Sequence, residues 1–319
     1  MKIPSIAVAA VLAACGSKDA APTAAPVPDA VHVLGAGSEP RQLLRYRVAK
    51  GTTNAVDLAL DVDIDASGQG GPLPTLVMTS EMVAEDVLPD GSTKLRTTIT
   101  NVTARDRPGG AITADQMAEQ TGLMRGLILR GTLAPDGVLR ELTVDSGGRV
   151  LPPGLTAQLD TLSKSFEQVA MPLPRTPVGP GASWLYNKTF TQSGMAMTTT
   201  TTFTLTAIAG DTLTFESATF VSGKDQTVTQ GDQTIQLSKI SGKGSGKGTV
   251  DLAKMAMTGE LLAELGSDMS AQGESTRMTM KMATRLSPAI APERALPPPP
   301  AGSAAPISPA GSAAPKPAP

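Results

Sequence analysis

Apolar and polar residues alternate with a period of two along most of the chain between residues 40 and 287. In residues 56–64 the apolar phase is formed by Val56, Leu58, Leu60, Val62 and Ile64, and the intervening positions hold three aspartates and one alanine. Alternation of this kind is typical of a β-strand with one buried and one solvated face. The pattern therefore predicts that the middle of the chain is mainly β.

Turn-forming sequences separate the predicted strands. Pro89-Asp90-Gly91-Ser92, Pro135-Asp136-Gly137 and Gly210-Asp211 each lie between two apolar segments, and short turns of this type join antiparallel neighbours. The predicted hairpins pair residues 75–88 with 93–103, 125–134 with 138–145, and 196–209 with 212–221, and later strands cover about 233–251, 255–262 and 274–286. The expected fold is a long, curved antiparallel sheet that resembles half of a barrel.

Two segments depart from the alternation and predict helices. Thr113-Ala-Asp-Gln116 fits a capping box and begins a short helix that ends near Met124. The segment 153–169 places Leu155, Leu159, Leu162, Phe166 and Val169 at intervals of four and three residues, which gives one apolar helix face. An amphipathic helix near the middle of the chain is therefore expected to cover one face of the sheet.

The composition excludes several classes of function. The 319-residue chain has 27 Lys and Arg against 29 Asp and Glu, a formal net charge of -2, without the basic excess of a nucleic-acid-binding protein. One cysteine cannot form an internal disulfide, and one cysteine with one histidine cannot complete a structural zinc site. A histidine-based nucleophile triad is unavailable, because His32 lies in a segment predicted to be a solvated stalk.

Two further motifs fail on inspection. An EF-hand loop counted from Asp61 would require Gly and Glu where the chain has Ala66 and Pro72. Residues 242–249 are rich in Gly and Lys, but Ser241 stands where a phosphate loop needs its first Gly, and Gly248 stands where it needs Ser or Thr. No metal, cofactor or enzymatic activity is therefore predicted.

The N-terminus has the parts of a secretory signal. Lys2 precedes an apolar run over residues 3–14, and small residues lead into the single cysteine, Cys15. The ending Leu-Ala-Ala-Cys15 resembles the lipobox of bacterial lipoproteins. That resemblance implies a signal peptide over residues 1–14, a diacylglycerol on the Cys15 sulfur, and anchoring to a membrane of the cell envelope. Gly16, in place of Asp, favours the outer membrane by the same analogy. The alternative is an ordinary signal peptide followed by a chance cysteine.

The two ends of the chain have a composition typical of disorder. Residues 15–39 are rich in Ala, Pro and Gly, and residues 288–319 contain Pro-Ala-Gly-Ser-Ala-Ala-Pro twice. Such segments bury too little apolar surface to offset the chain entropy that folding removes. We therefore expect a stalk, a β domain over residues 40–287 and a disordered tail. The alternative for the tail is an arm that binds cell wall or an envelope protein.

Glycine and methionine residues in two late strands suggest a ligand-binding surface. Gly242, Gly244, Gly246 and Gly248 share one strand face, as do Met278, Met280 and Met282. Missing side chains and flexible thioethers would suit an adaptable groove for a lipid or other apolar ligand. The alternatives are a sharply bent sheet or close packing by the 153–169 helix for the glycines, and ordinary core packing for the methionines.

A proline-rich link provides a second resemblance. Pro172-Leu-Pro174 and the stretch from Pro177 to Trp184, which enters a strand through Gly-Ala-Ser-Trp, are similar to segments of uncharacterised bacterial lipoproteins, many of which resemble the half-barrel LolA/LolB carriers. The resemblance implies a membrane-anchored lipoprotein that binds or carries a lipid. The alternative is a structural or interaction lipoprotein with a filled core that acts through its surface or its tail.

Overall fold

The computed structural model describes residues 31–149, 170–192, 195–230, 233–271 and 274–289. These residues form a 14-stranded sheet and one short α-helix. The strands are β1 Val31–Gly35, β2 Thr53–Ala66, β3 Gln69–Pro72, β4 Thr75–Val87, β5 Thr93–Arg105, β6 Ile128–Leu133, β7 Leu139–Asp145, β8 Ser183–Gln192, β9 Met195–Ala209, β10 Thr212–Ser222, β11 Gln226–Gln230, β12 Gln233–Asp251, β13 Ala256–Ala271 and β14 Glu274–Pro288. The mainly β prediction is confirmed.

All strand pairs are antiparallel, and the order across the sheet is β1-β8-β9-β10-β12-β13-β14-β2-β4-β5-β6-β7. The short strands β3 and β11 pair with β2 and β12. Strand β14, the last of the described strands, lies beside β2 and joins two runs of hairpins. Strands β1 and β7 are the two edges, so the sheet is not closed into a barrel.

The predicted turns form as their residue types require. In the β4–β5 hairpin, the Leu88 N–H donates to the Ser92 carbonyl over 2.8 Å, and the Asp90 carboxylate accepts from the Ser92 N–H over 2.9 Å. In the β6–β7 hairpin, Gly137 has a φ of 84°. A Cβ atom at Gly137 would lie 2.2 Å from the Met171 carbonyl oxygen, so both backbone conformation and packing require glycine there.

The capping-box prediction is also confirmed. The helix α1 runs over Ala114–Thr121, the Thr113 hydroxyl accepts from the Gln116 N–H over 3.3 Å, and the Gln116 side chain accepts from the Thr113 N–H over 3.0 Å. A 3-10 turn at Gly122–Met124 follows. The amphipathic helix predicted for residues 153–169 lies outside the described residues.

Cross-strand register gives the sheet an apolar inner face and a polar outer face. On β2, the inner face carries Leu58 and Val62 and the outer face carries Asp57 and Asp61, because successive residues of a strand point to opposite sides. Directly opposed residues share a face, so the inner face continues through Met282 of β14, which pairs with Val62.

The inner face curls so that strands far apart in the sheet order meet. One buried cluster joins Leu95 of β5 and Leu133 of β6 to Leu205 of β9 and Leu213 of β10. Two segments without regular structure, 44–48 and 170–178, pack into the same cluster. They are held by the β6–β7 turn, where the Tyr46 N–H donates to the Pro135 carbonyl and the Leu173 N–H to the Asp136 carbonyl.

The boundaries predicted for the β domain are too narrow at both ends. Residues 31–35, placed in the predicted stalk, form β1, which pairs with β8 through Val31, His32 and Val33. The prediction failed because β1 is a five-residue edge strand with mostly exposed side chains, so backbone pairing rather than hydrophobic alternation holds it. At the other end, β14 includes Pro288, and the Ala289 N–H donates to the Ala55 carbonyl.

Candidate functional site

A cavity of about 70 Å³ lies on the inner face beside the buried cluster. This volume is several times the roughly 10–15 Å³ that a single water needs. Aliphatic and thioether side chains form most of its wall, and they come from strands that face each other across the curled sheet: Val56, Leu58, Met78, Met82, Leu129, Leu139, Leu142, Val250, Met255, Met257 and Leu286. No charged side chain lines it among the described residues. A largely apolar cavity of this kind accepts apolar groups.

The walls of the cavity are built by strand register. Leu58 of β2 is opposite Met78 of β4 on one side and Leu286 of β14 on the other. Leu286 in turn is opposite Gly259 of β13, and Gly259 is opposite Gly248 of β12. One cross-strand row thus runs from two glycines to three bulky apolar residues. The far wall comes from β6 and β7, which reach the same cavity because the sheet is curled.

Two hydroxyl groups interrupt the apolar wall. Ser80 of β4 lies between Met78 and Met82 in the inner phase of its strand, and Thr97 of β5 is opposite Met82. Within the described part of the chain, neither hydroxyl has a protein hydrogen-bond partner, although no fully buried side-chain polar atom is left unsatisfied. Both hydroxyls are therefore available to a bound molecule.

Tyr46 closes the end of the cavity nearest the buried cluster. Its ring is 3% exposed, and its hydroxyl donates to the Met171 carbonyl oxygen over 3.3 Å. Burial raises the pKa of the Tyr46 hydroxyl above its usual range, since a phenolate would lose its hydration. Tyr46 is therefore a neutral part of the wall, and its hydroxyl proton is already donated to the Met171 carbonyl oxygen.

The glycines and methionines predicted to bind a ligand share the inner face but do not line the cavity. Gly242 and Met280 are both opposite Leu265, and Gly244 and Met282 are both opposite Ala263. Met278 and Gly246 occupy the same face of their strands, opposite Ser267 and Leu261. The structure thus brings the two groups together across β12–β14, and their role in binding stays a prediction.

The glycines have a clear structural reason. A Cβ atom at Gly248 would lie 2.2 Å from the Thr258 carbonyl oxygen, and one at Gly242 would lie 2.7 Å from the Glu264 carbonyl oxygen. Gly259, opposite Gly248, has a φ of 151°. Neighbouring strands therefore approach too closely on the inner face for a side chain at Gly248. This close approach agrees with the sharply bent sheet given above as the alternative explanation of the glycines.

Most of the residues that do line the cavity were missed, although a signal for two of them exists in the sequence. Ser80 lies between Met78 and Met82, and Thr97 lies between Leu95 and Ile99. When two neighbouring strands each carry a hydroxyl residue among their inward-facing apolar positions, polar groups lie on the inner face at that place. The curl that brings β6 and β7 over β2 leaves no comparable mark in the alternation.

The outer face has a shallow depression of about 740 Å³ that spans β2, β14, β13, β12 and β10. One cross-strand row within it reads Asp63, Lys281, Glu264, Lys243 and Phe220. Phe220 is 64% exposed and the neighbouring Leu262 is 54% exposed. The depression therefore combines charges of both signs with accessible apolar surface.

Ion pairs hold the acidic side of this depression. The Thr75 hydroxyl donates to the Asp61 carboxylate, and Arg285 donates to it over 2.8 Å. These contacts hold the pKa of Asp61 below its usual range, the Thr75 hydrogen bond contributing most. Arg107 likewise pairs with Asp63 over 3.0 Å. The aspartates predicted from alternation to be a solvated strand face are thus anchors for neighbouring strands.

The described ranges contain no cluster of three or more His, Cys, Asp or Glu side chains that could hold a metal ion. In the same ranges, no helix is long and apolar enough to span a membrane. Cys15, on which the anchoring prediction depends, lies outside the described residues, while His32 lies on the edge strand β1.

Comparison with known proteins adds one similarity. Residues 157–254 match DUF6263, a family of unknown function. The matched stretch includes β8 to β12 and covers less than half of the chain. Of the residues that line the cavity, it contains Ala170 and Val250. No curated protein matches the chain significantly.

Proposed function

We propose that this chain is a lipid-anchored protein of the bacterial cell envelope that binds or carries a lipid or another apolar ligand on the inner face of its half-barrel. The observation that supports the proposal best is the cavity between Leu58, Leu129 and Met257, whose described lining residues carry no charge. A sheet with a fully packed core would leave no such space, because protein interiors are close-packed. The lining methionines adapt readily to irregular apolar partners.

Ligand binding is tested on residues 16–319, purified without the signal segment. We expect native mass spectrometry or organic extraction to find a co-purified apolar molecule, and the neutral dye N-phenylnaphthylamine to gain fluorescence on binding. Leu58→Trp, which fills the cavity, should weaken dye binding at least tenfold. Leu262→Trp is the matched control, since Leu262 is on the outer face. Absence of both co-purified ligand and dye binding would reject the proposal.

Anchoring is a separate part of the proposal and depends on Cys15. Acyl chains on this residue would hold the protein on a membrane, since each buried CH₂ contributes about 0.8 kcal/mol. The outer membrane is the expected location. Cys15→Ser should move the protein from the membrane fraction to the soluble fraction and abolish labelling with radioactive palmitate. Acyl labelling that persists in Cys15→Ser would contradict the assignment.

The outer depression supports a second candidate function, that of an interaction lipoprotein. Phe220 and Leu262 expose apolar surface beside Lys243 and Lys281, which is typical of protein contact sites. In this case an envelope protein cross-linked to the wild type should be lost from Phe220→Ser/Leu262→Ser and kept by Leu58→Trp. Deletion of residues 288–319 tests whether the tail contributes to the same contact. Loss of dye binding with Leu58→Trp would favour the first candidate instead.

A further inference from the structure

The wall of the cavity suggests which apolar ligands it accepts, an inference that rests on the proposed function. We propose that the cavity selects neutral molecules with one small hydrogen-bonding group, such as a fatty alcohol or an ester, and rejects ionised carboxylates. Ser80 and Thr97 are the specificity-determining residues in this proposal.

The cations on the described cavity-forming strands are on the outer face. Arg96 of β5 and Arg130 of β6 both donate to the Glu85 carboxylate, each over 2.9 Å. Arg285 of β14 donates to Asp61 over 2.8 Å. Each is sequence-adjacent to a position of the inner phase and therefore points away from it. A carboxylate in the cavity would lose its hydration and meet no counter-charge from the residues that the structure describes, which is strongly unfavourable.

Two hydroxyls in the cavity wall keep hydrogen-bonding capacity for a ligand. Each hydroxyl of Ser80 and Thr97 is one donor and an acceptor, and in the described chain both lack protein partners. The Tyr46 hydroxyl, also at the cavity, already donates to the Met171 carbonyl. A neutral alcohol or ester oxygen can therefore gain a hydrogen bond from Ser80 or Thr97 without bringing a charge into the cavity.

The two hydroxyl residues are neighbours on the inner face. Ser80 is opposite Ile99, and Thr97 is opposite Met82, so the two hydroxyl residues are diagonal neighbours on the inner face of β4 and β5. Diagonal pairs are about 7–8 Å apart between Cα atoms. The two hydroxyls thus mark one polar patch, while the methionines and leucines of the opposite wall accept hydrocarbon. A ligand with one polar end and one apolar part fits this division.

The test compares three ligands of equal chain length as competitors of N-phenylnaphthylamine on residues 16–319. At pH 8, 1-decanol and methyl decanoate should bind at least tenfold more tightly than decanoate. The affinity of decanoic acid should rise as the pH is lowered to 5, where more of it is protonated. Decanoate binding at pH 8 as tight as that of decanol would overturn the proposal, and this comparison needs no variant.

Variants assign the role to the two residues. Ser80→Ala and Thr97→Val should each weaken decanol binding about 3- to 10-fold, the usual effect of one lost hydrogen bond. Thr98→Val is the matched control, since Thr98 is the next residue of β5 and lies on the outer face, where it accepts from Arg96. Unchanged decanol binding in both cavity variants would overturn the residue assignment.

The two levels of the proposal fail in different ways. If the dye and all three decyl compounds fail to bind, the proposed function is wrong. If the dye binds but charge makes no difference, ligand binding stands and the selectivity is wrong.

Discussion

The inner face of the sheet is filled at one end and hollow beside it. At the filled end, Trp184 is fully buried, stacks on Phe203 with ring centroids 5.8 Å apart, and donates its indole N–H to the Pro172 carbonyl over 2.9 Å. At the hollow end, Leu58 and Leu286 project from the same face of the same sheet, yet a cavity remains between them and β6. Both ends have the same alternation of apolar and polar residues.

The difference comes from segments outside the strands. Residues 44–48 and 170–178 bring Leu44, Tyr46, Met171, Leu173 and Val178 into the filled end. The wall of the cavity receives only Tyr46 and Ala170 from the described parts of those segments. Alternation therefore determines which residues face inward, whereas the inserted segments determine whether the space before them is filled. The filled end is expected to carry the stability and the hollow end the function.

The largest expected effect is at Trp184. Trp184→Ala removes the most bulky fully buried side chain of the filled end and leaves the Pro172 carbonyl without its donor. We expect a loss of about 3–5 kcal/mol in the free energy of unfolding, measured by urea unfolding followed by circular dichroism, because the variant lacks tryptophan fluorescence. Trp184→Phe should lose less. A loss below about 1 kcal/mol in Trp184→Ala would contradict the assignment of stability to this end.

A pair of equal truncations compares the two ends directly. Leu213 is fully buried at the filled end, whereas Leu286 lines the cavity and is partly exposed. Leu213→Ala should cost about 3 kcal/mol, and Leu286→Ala about 1–2 kcal/mol because fewer contacts are lost. In contrast, Leu286→Ala should change the affinity for N-phenylnaphthylamine and Leu213→Ala should not. Equal costs and equal dye binding would remove the distinction between the ends.

Much of the fold could be predicted from sequence because its signals are local. Alternation located the long strands, Gly137 and the Pro89–Ser92 turn located hairpins, and the Thr113 capping box located α1. Strand β1 was missed because its stability comes from pairing with β8, a partner more than 140 residues away. A short exposed edge strand with few apolar contacts has no local signature that separates it from a stalk.

The cavity could be predicted only in part. The inner face was identified at Gly242–Gly248 and Met278–Met282, and register confirms that these residues share a face. Which part of that face is hollow depends on the curl that brings Leu129 and Leu139 over Leu58, a long-range property of the sheet. The hydroxyls of Ser80 and Thr97 broke the apolar phase visibly, so polar residues in an apolar phase are the better guide to such a site.

Two glycines of β12 test whether close approach of the neighbouring strand or a ligand groove explains the absence of side chains there. Gly248→Ala places a Cβ 2.2 Å from the Thr258 carbonyl oxygen, whereas the Cβ of Gly244→Ala would lie 3.0 Å from the Leu262 carbonyl oxygen. We expect Gly248→Ala to cost about 2 kcal/mol through backbone shifts, and Gly244→Ala less than about 1 kcal/mol. Urea unfolding measures both. If Gly248→Ala is as stable as the wild type but binds dye poorly, a groove floor explains this glycine better than strand approach.

The smallest expected effect concerns Tyr46, which belongs to both regions because it is part of the buried cluster and of the cavity wall. Tyr46→Phe leaves the Met171 carbonyl without the tyrosine proton, which should cost about 1 kcal/mol at pH 8. Tyr186→Phe is the matched control, because the chain has only two tyrosines.

The pH dependence of this cost separates burial from simple hydrogen-bond loss. Since burial raises the pKa of Tyr46 above the usual tyrosine value of about 10, the neutral side chain contributes its full stability below pH 10. Above pH 10 the unfolded chain releases the proton and the folded chain retains it, so this stability falls by up to about 1.4 kcal/mol per pH unit. The advantage of the wild type over Tyr46→Phe should therefore shrink between pH 10 and 11, as measured by urea unfolding at each pH. If the difference in the free energy of unfolding between the wild type and Tyr46→Phe stays constant over that range, water reaches Tyr46 through the cavity. The boundary between the filled and hollow ends would then lie deeper in the sheet.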